Sequence, residues 1–420
     1  MSNFLSQLRT GWISVIWSKF APIVIAVFGP RSAAYLTYLS MDWGLLNKQK
    51  SVVCLYRESF IKDIHQLRKR TEYNYPIVMA GFTRFQQSWT PKEMQEQTYY
   101  QSMESNYKAA LLKSDIYAET LLRLISRKVD IGAVLSANID YWQDGGFKRV
   151  CRKQKIPFIV LSREHPVIPS VCDWVTERYK EAEFFYTGQG VAVAGESSKK
   201  VILGANAVSD ESIISITGLP RFDAWREVSV DKPLNERKTI TLLTFTHGYG
   251  ADKTFEEVLI SFCLAAERDK QFRFLVKTKD EMDTVKVTRL VKKLGVSRVE
   301  ITHEESLYEV LPQSYLVIGY NSLSLLEAAI ARTNICIPAW GECLEDGENV
   351  MYRSSSINVS NCVSYLRKRE DLEQLLTQGL ESDGFNWDED AISAFIGEFV
   401  AIPKEGCSER FGAFMAKYIQ

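Results

Sequence analysis

Short apolar runs of strand length alternate with helical stretches along almost the whole chain. Helical periodicity covers residues 91–128 and 145–155, and polar turns separate the segments. In the first half, the apolar runs predict strands at Ser51–Leu55, Pro76–Met79, Ile131–Leu135, Phe158–Leu161, Phe184–Thr187, Lys200–Leu203 and Ile213–Ile216. Alternation of this kind is typical of an α/β fold in which helices connect the parallel strands of one sheet.

The pattern restarts after a charged stretch at residues 227–238, which predicts an exposed linker. Beyond it, helices are predicted at residues 253–268 and 281–294. Further strands are predicted at Thr239–Phe245, Phe272–Val276, Val299–Ile301, Leu316–Ile318 and Ile335–Ile337. We therefore predict two doubly wound, Rossmann-like domains that face one cleft. The predicted divisions are an N-terminal apolar helical segment at 1–45, a first domain at 46–230, a second domain at 236–385 and a C-terminal helical segment at 386–420.

Composition narrows the class of protein. The 420 residues are 46% hydrophobic and 25% charged, as expected for a folded enzyme with two cores. The formal net charge of −1 argues against a nucleic-acid partner, which would require a basic surface. Eight cysteines without a CxxC pair and only four histidines disfavour a structural zinc site and fit a reducing, cytoplasmic location.

An apolar segment at Trp12–Phe28 lies near the N-terminus. Lys19 and Pro22 interrupt it, so its longest uncharged run is too short to span a bilayer. Two interpretations remain open: a helix packed on the first domain, or an interfacial anchor that gives peripheral contact with the inner face of the cytoplasmic membrane.

The most informative motif follows the apolar run Ser314–Gly319. Asn321-Ser-Leu-Ser-Leu-Leu-Glu-Ala328 opens a helix with Asn and Ser at its capping positions and Glu327 early in the helix. A strand-to-helix turn of this kind offers N–H groups and hydroxyls to a phosphate. The alternative is an ordinary βαβ unit with a capped helix.

Two further loops with chemical potential follow predicted strands of the first domain. Arg163, Glu164 and His165 come directly after Phe158–Leu161, where Glu164 is a candidate general acid or base tuned by its neighbours. The alternative is a solvent-exposed turn. The segment Thr217–Asp223 follows the last predicted strand of this domain, and Asp223 is either a functional carboxylate or a cap for a helix beginning at Ala224.

The second domain adds two more strand-end loops. In Thr246-His-Gly-Tyr-Gly250 the glycines permit close approach of a ligand to the backbone, and His247 is suited to bind a carboxylate or phosphate. Lys277 and Lys279 supply cations after the next strand. With Asn321, Ser322 and Ser324 they could form an anion-binding rim, although exposed lysines usually face solvent. The loop Gly341–Gly347 is a candidate lid or base-contacting loop.

The sequence lacks the characteristic motifs of several enzyme classes. No GxxxxGK[ST] or GxGxxG sequence supports a P-loop kinase or a dinucleotide dehydrogenase, and no GxSxG elbow supports a serine hydrolase. No Asp-x-Asp element stands at a strand end, which weakens the case for a metal-dependent glycosyltransferase.

Four motifs together resemble bacterial surface-polysaccharide glycosyltransferases of the GT-B fold. They are Ser162-Arg-Glu-His165, Gly218-Leu-Pro-Arg-Phe-Asp223, Asn321-Ser-Leu-Ser-Leu-Leu-Glu327 and Gly406-Cys-Ser-Glu-Arg-Phe-Gly412. The combination is most similar to the retaining β-Kdo transferases of capsule and lipopolysaccharide O-antigen assembly, whose donor is CMP-Kdo (Kdo is 3-deoxy-D-manno-oct-2-ulosonic acid). The similarity covers residues 50 to 415.

The resemblance implies a C-terminal helix that packs back, a glycan or lipid-linked glycan acceptor on the first domain, and CMP on the second. It implies Asp223 as the carboxylate nucleophile, Glu164 as acid/base, and His247 near the donor carboxylate or phosphate. The implied donor-binding residues are Arg163, His165, Arg221, Thr246, Gly248, Lys277, Lys279, Asn321, Ser322, Ser324 and Glu327. No cofactor and no metal are expected. Lys277-Thr-Lys279 departs from the Lys-Pro-His-Pro-like element of many relatives, which leaves the donor site open.

Three alternatives remain at this stage. The chain could be a GT-B transferase or glycerophosphotransferase that uses another UDP-, CDP- or CMP-linked donor. It could be a non-catalytic module of a polysaccharide-assembly complex. It could also be a nucleotide-sugar epimerase, which would convert the free donor without an acceptor.

Overall fold

The structure is a computed structural model that describes residues 28–55, 57, 60–79, 81–95, 106–163, 171–230, 232–245, 251–345, 363–379 and 388–419. The chain divides into two compact units. The first comprises Met1–Val167, Cys172–Asp223 and Val400–Gln420, and the second comprises Ile168–Val171 and Ala224–Phe399. The chain therefore leaves the first unit after Asp223, before the predicted linker, and the predicted C-terminal segment is divided at Phe399.

The first unit is built on a six-stranded parallel sheet. Its strands are β1 (Lys50–Leu55), β2 (Ile77–Val78), β3 (Asp130–Ser136), β4 (Phe158–Ser162), β5 (Gly190–Val193) and β6 (Ile214–Ile216), in the order β2-β1-β3-β4-β5-β6. Its helices are α1 (Ile61–Arg70), α2 (Gly81–Gln87), α3 (Lys108–Ser126), α4 (Gly145–Gln154), α5 (Cys172–Glu181), α6 (Glu196–Gly204) and, from the C-terminal end of the chain, α14 (Cys407–Met415). Residues 28–39 are also helical.

The second unit repeats this plan. Its strands are β7 (Thr239–Leu243), β8 (Arg273–Lys277), β9 (Val299–Thr302), β10 (Ser314–Ile318), β11 (Asn334–Pro338) and β12 (Val363–Leu366), in the order β12-β11-β10-β7-β8-β9 and all parallel. Its helices are α7 (Asp252–Arg268), α8 (Glu281–Leu294), α9 (Leu307–Val310), α10 (Ser324–Ile330), α11 (Glu342–Glu345), α12 (Arg369–Gln374) and α13 (Glu389–Phe399).

Short helical segments of other types occur in both units. The 3-10 segments lie at Lys92–Gln95, Trp142–Asp144, Glu211–Ile213, Pro220–Glu227, Leu234–Glu236 and Leu311–Gln313, and a π-helical turn lies at Leu375–Gly379.

Both sheets have strands without polar–apolar alternation, because helices cover both faces of a parallel sheet. All five residues of β4, β7 and β11 are buried, for example. The predicted α/β class with two doubly wound parallel sheets is therefore confirmed.

Two strand predictions in the first half were wrong. The segment Phe184–Thr187 is an irregular connection, in which the ring of Phe184 stacks on Tyr179 at 4.9 Å and the Tyr186 hydroxyl donates to main-chain carbonyls. The apolar run Lys200–Leu203 belongs to helix α6, whose buried face includes Val201 and Ile202. Length alone cannot distinguish a short apolar run in a helix from a β-strand.

The true strand at this place is β5, which begins at a glycine. A Cβ added to Gly190 would lie 2.9 Å from the ring atoms of both Phe414 and Tyr418. Glycine is needed because the C-terminal helical segment packs directly onto the start of β5. This contact, with the packing of α14 against α1, fits the expected C-terminal helix that packs back.

The N-terminal apolar segment, residues 12–28, lies almost wholly outside the described residues. Among the helices that the structure does describe, none is long and apolar enough to cross a bilayer.

Candidate active site

Each sheet has one position where the strand order reverses. In the first sheet the reversal lies between β1 and β3, and in the second it lies between β7 and β10. In open parallel sheets, ligands bind beyond the carboxyl ends of the strands at such a position, because the connecting loops diverge there. The loops that follow the strands at these two places are therefore the expected ligand-binding loops.

At the carboxyl edge of the first sheet, two candidate arginines meet one aspartate. Arg221, in the 3-10 segment after β6, donates to Asp63 from its main-chain N–H and its Nε at 3.0 to 3.2 Å. Arg163, directly after β4, lies with its Nε 3.7 Å from Asp63 Oδ2. Asp63 is completely buried, and the two arginines are 7–8% exposed. Asp63 therefore holds both predicted donor-binding arginines in one buried ion-pair cluster.

Asp223 lies two residues farther along and is also buried, with 1% exposure. Its Oδ1 accepts a hydrogen bond from the N–H of Cys407 at 2.7 Å, and its Oδ2 accepts one from the N–H of Ser408 at 2.6 Å. These are the first two residues of α14, whose N-terminal amides have no partner within the helix. The carboxylate thus caps a helix, as one of the two sequence interpretations proposed, but the helix is α14 rather than one beginning at Ala224.

The predicted phosphate turn lies at the reversal point of the second sheet. Asn321 and Ser322 follow β10 and are partly exposed. Ser322 Oγ accepts a hydrogen bond from the N–H of Ser324 at 3.2 Å, which forms the entry to α10. Glu327, in the first turn of α10, is 3% exposed. Polar groups of this turn are therefore placed where a ligand of this sheet is expected.

Lys277 and Lys279 lie on the other side of β7. Lys277 ends β8, and its Nζ donates to the carbonyls of Thr278 at 2.8 Å and His303 at 3.1 Å. The Lys279 side chain is exposed, and its N–H donates to Asp283. Because β7 lies between β8 and β10, the strand that Lys277 ends is about 10 Å, or two strand spacings, from the strand that precedes the Asn321 turn. The two lysines flank the reversal point from the side opposite that turn.

Five predicted site residues lie outside the described residues. They are Glu164, His165, Thr246, His247 and Gly248. The roles of these five residues stay predictions.

Sequence reasoning missed a polar cluster at the reversal point of the first sheet. Asp144 is fully buried and accepts a hydrogen bond from Ser136 Oγ at the end of β3. Ser136 Oγ also lies 3.4 to 3.5 Å from the main-chain O and N of Asn138. Asn138 Oδ1 in turn accepts from Ser162 Oγ, at the end of β4, at 3.3 Å. The signal was available in Ser136-Ala-Asn-Ile-Asp140, which places three polar residues directly after an apolar strand.

Cations surround this cluster. Arg57, after β1, has its Nη2 3.6 Å from Asp144 Oδ1, and Lys148 of α4 donates to the carbonyl of Ile139. Burial raises the pKa of the Asp144 carboxyl, while Arg57, Lys148 and the hydrogen bond from Ser136 offset part of that effect. The neighbouring Asp140 raises the pKa further and accepts a hydrogen bond from the Tyr179 hydroxyl at 3.1 Å.

The loop predicted as a lid, Gly341–Gly347, is described as far as Glu345. Glu342 Oε2 accepts hydrogen bonds from the N–H groups of Lys253 at 2.7 Å and Thr254 at 3.3 Å, in the first turn of α7. Thr254 Oγ1 accepts from the N–H of Glu342 at 3.1 Å in return. These hydrogen bonds join the described part of the loop to the first turn of α7.

Within the described part of the chain, no group of three or more His, Cys, Asp or Glu side chains is arranged to hold a metal ion.

Comparison with solved structures identifies the fold. The UDP-GlcNAc 2-epimerase from Neisseria meningitidis, solved with UDP-GlcNAc bound, superimposes with a TM-score of 0.51 at 14% identity, covering 88% of this chain and 100% of that one. The wall teichoic acid polymerase TagF gives a TM-score of 0.51 at 12% identity, covering 100% of this chain and 98% of that one. No protein-family model and no curated protein sequence matches the chain. At these identities the likeness shows the GT-B fold, as predicted.

Proposed function

We propose that this protein is a nucleotide-sugar-dependent glycosyltransferase that elongates a bacterial surface glycan, with CMP-Kdo as its donor. The observation that carries the proposal is the position of the Asn321–Ser324 turn at the reversal point of the second GT-B sheet. This is where a parallel sheet binds its ligand, and the polar groups found there suit a phosphate. The choice of Kdo rests on the resemblance of the four sequence motifs.

In this proposal the second unit binds the CMP group. Asn321, Ser322 and Ser324 contact the nucleotide phosphate from one side, with Glu327 behind them, and Lys277 and Lys279 supply positive charge from the other side. The leaving group of a CMP-sugar is already a phosphate, so cations and N–H groups can stabilise it. The reaction is proposed to need no metal ion.

The proposed chemistry is a double displacement with net retention. A carboxylate attacks the anomeric carbon and CMP departs; an acceptor hydroxyl then displaces the carboxylate, so two inversions restore the configuration. The resemblance assigns the carboxylate to Asp223, acid/base work to Glu164, and contact with the donor carboxylate or phosphate to His247. Arg163, His165 and Arg221 are proposed to help bind the anionic donor sugar.

The contacts of Asp223 bear directly on this assignment. Each of its oxygens accepts one main-chain hydrogen bond at the start of α14, and a carboxylate has lone pairs for further contacts. Two such bonds fix the carboxylate in position, which suits a nucleophile, but they also give it a purely structural role. Only a variant that keeps the fold can separate the two roles.

The first test is a thermal-shift comparison of CMP, CDP, UDP and GDP at matched concentrations, because a ligand that binds the folded state raises the melting temperature. Selective stabilisation by CMP, lost in Asn321→Ala and retained in Lys292→Ala, is the expected result. Lys292 is a suitable control because it lies in the last turn of α8, away from the carboxyl edge. Transfer from CMP-Kdo to synthetic glycan acceptors then tests the reaction. Absence of a shift with every nucleotide would contradict the proposal.

A second candidate is an enzyme that uses a UDP-sugar. It is favoured by the fold likeness to the Neisseria UDP-GlcNAc 2-epimerase over the whole of that chain. This candidate predicts selective stabilisation by UDP. An epimerase would convert UDP-GlcNAc without an acceptor, whereas a transferase would require one, so incubation with and without a glycan distinguishes the two.

A further inference from the structure

The polar cluster at the ends of β3 and β4 contains one donor atom and one acceptor atom that form no hydrogen bond within the described chain. Asn138 is 1% exposed, and its Nδ2 finds no hydrogen-bond partner among the described residues. Asp144 Oδ1 likewise makes no hydrogen bond within the described chain; its ion pair with Arg57, at 3.6 Å, is longer than a hydrogen bond. Leaving such atoms buried without a partner costs free energy, so this arrangement calls for an explanation.

The two atoms belong to one connected network rather than to separate defects. Ser136 Oγ donates to Asp144 and also lies against the backbone of Asn138, so the three residues form one group. Because β1 and β3 flank the reversal point of the first sheet, the group also stands where a ligand of this sheet is expected. The placement and the unsatisfied atoms are independent observations.

We propose that this cluster is a subsite for a sugar hydroxyl, in which Asn138 Nδ2 donates to the ligand and Asp144 Oδ1 accepts from it. A hydroxyl group is both a donor and an acceptor, so it matches the chemistry of both remaining atoms, whereas a phosphate or carboxylate could accept only from Asn138 and would be repelled by Asp144. The proposal rests on the proposed function and deepens it, because it names a place in the first unit for the acceptor glycan.

The surroundings of the cluster supply a rim. Arg57 is partly exposed, stands 4.1 Å over the ring of Tyr141 and donates to Gln143 Oε1 at 3.3 Å. Tyr141 and Gln143 are also partly exposed. An aromatic ring beside polar groups suits a sugar, which has an apolar face and hydroxyl edges. The carboxylate oxygen that makes no hydrogen bond within the described residues, Asp144 Oδ1, is the one that lies on the side of Arg57.

The chemistry of Asp144 is consistent with this role. Burial raises the pKa of its carboxyl. Among the groups that face it, Arg57, Lys148 and Ser136 lower this pKa, and Asp140 raises it further. A carboxylate with a raised pKa accepts a strong hydrogen bond from a hydroxyl and polarises its O–H bond.

The test is saturation-transfer NMR on the full chain with the methyl glycosides of galactose, glucose, N-acetylglucosamine and Kdo as probes. Asn138→Ala and Asp144→Ala each remove one of the two proposed hydrogen-bonding groups, and Asp115→Asn, in a partly exposed ion pair with Arg149, is the control. We expect at least one probe to bind the wild type and the control, and its affinity to fall about tenfold in each cluster variant, as for the loss of one buried hydrogen bond. If either variant fails to fold, Gln143→Leu at the rim tests the same surface and is expected to weaken the same probe.

Nucleotide thermal shifts measured on the same samples separate this proposal from the proposed function. If sugar binding depends on Asn138 and Asp144 but no nucleotide raises the melting temperature, the subsite is supported and the transferase proposal is contradicted. A normal nucleotide shift with no probe bound, or with binding unchanged in all folded variants, would overturn the subsite alone. In that case the spare atoms are bridged by a buried water, which has the same ability to donate and accept.

Discussion

The carboxylate of Asp223 accepts a hydrogen bond from the main-chain N–H of Ser408 at 2.6 Å, which joins two points 185 residues apart in the sequence. A second bond reaches Cys407. Together they satisfy the first amides of α14, where a negative charge is also favoured by the helix dipole. Asp223 is also the proposed nucleophile, so its structural and its catalytic role must be tested together.

Replacing Asp223 with Ala is expected to lower the free energy of unfolding by about 2 kcal/mol, because α14 loses its cap and two buried amides lose their partner. Urea denaturation measures this effect. Asp210→Ala is the matched control, since Asp210 caps Ser212 at an exposed position and should cost less than about 1 kcal/mol. An unchanged urea midpoint for Asp223→Ala would show that the contacts do not anchor α14.

Asp223→Asn addresses catalysis, because it keeps the size of the side chain. If Asp223 is the nucleophile, the folded Asn variant should lose transfer activity by about a thousandfold or more, with substrate binding retained. Mass spectrometry of the wild type with donor and no acceptor should then detect a glycosyl adduct. Near-normal turnover by the folded Asn variant would leave Asp223 with the capping role alone.

Asp63→Asn should be among the most destabilising substitutions in the first unit. It removes the counterion of Arg221 and Arg163 and leaves two buried guanidinium groups without it, at an expected cost of about 3 to 5 kcal/mol. Asp130→Asn, which breaks a more exposed pair with Lys50, is the control and should cost less than about 1 kcal/mol. Equal urea midpoints for the two variants would contradict the proposed importance of the buried cluster.

Asp144 should make stability depend on pH in a defined direction. Because burial raises the pKa of its carboxyl in the folded state, the stability linked to this group is fully present below the unfolded pKa and is lost as the pH rises through the folded pKa. Asp144→Asn does not ionise. The melting temperature of the wild type minus that of Asp144→Asn should therefore be smaller at about pH 7.5 than at about pH 4.5. A difference that grows with pH would show that Arg57 and Lys148 outweigh burial.

Gly190→Ala tests the packing of the C-terminal segment on β5. The added Cβ would lie 2.9 Å from Phe414 and Tyr418, so the substitution should cost about 1 to 3 kcal/mol of unfolding free energy. Gly397→Ala, in α13, is the matched control: its Cβ has nothing within 4 Å, and the substitution should stabilise the protein by about 0.5 to 1 kcal/mol. Similar changes in unfolding free energy for the two substitutions would show that the C-terminal segment does not pack closely on this strand.

Local signals predicted much of the fold. Helix α8 has the predicted bounds because its ends carry their own markers: the Asp280 side chain accepts from the N–H of Asp283 at the start, and Gly295 has a positive φ of 69° at the end. The strands of the second sheet were also located, except β12, whose Ser364 and Tyr365 interrupt the apolar run. Capping residues and apolar runs are properties of neighbouring residues, so one sequence is sufficient to identify them.

The buried polar groups were harder to predict, because they depend on distant partners. Asp63 is one of several charged residues in α1, and nothing near it shows that Arg221, 158 residues away, will bury it. Asp144 is similar, since its burial depends on Arg57 and on the ends of β3 and β4. The sequence located the strand-end loops that carry candidate chemistry, but it could not show which of their side chains would be enclosed together.

The division of the chain has a consequence for its synthesis. The partners of Gly190 and Asp223 lie in residues 400–420, which the ribosome adds only after the whole of the second unit. The second unit, almost continuous from Ala224 to Phe399, can therefore fold while the first still lacks α14. The unit that begins first is thus completed only after the second, and until then the start of β5 and the carboxylate of Asp223 lack the contacts that residues 400–420 supply.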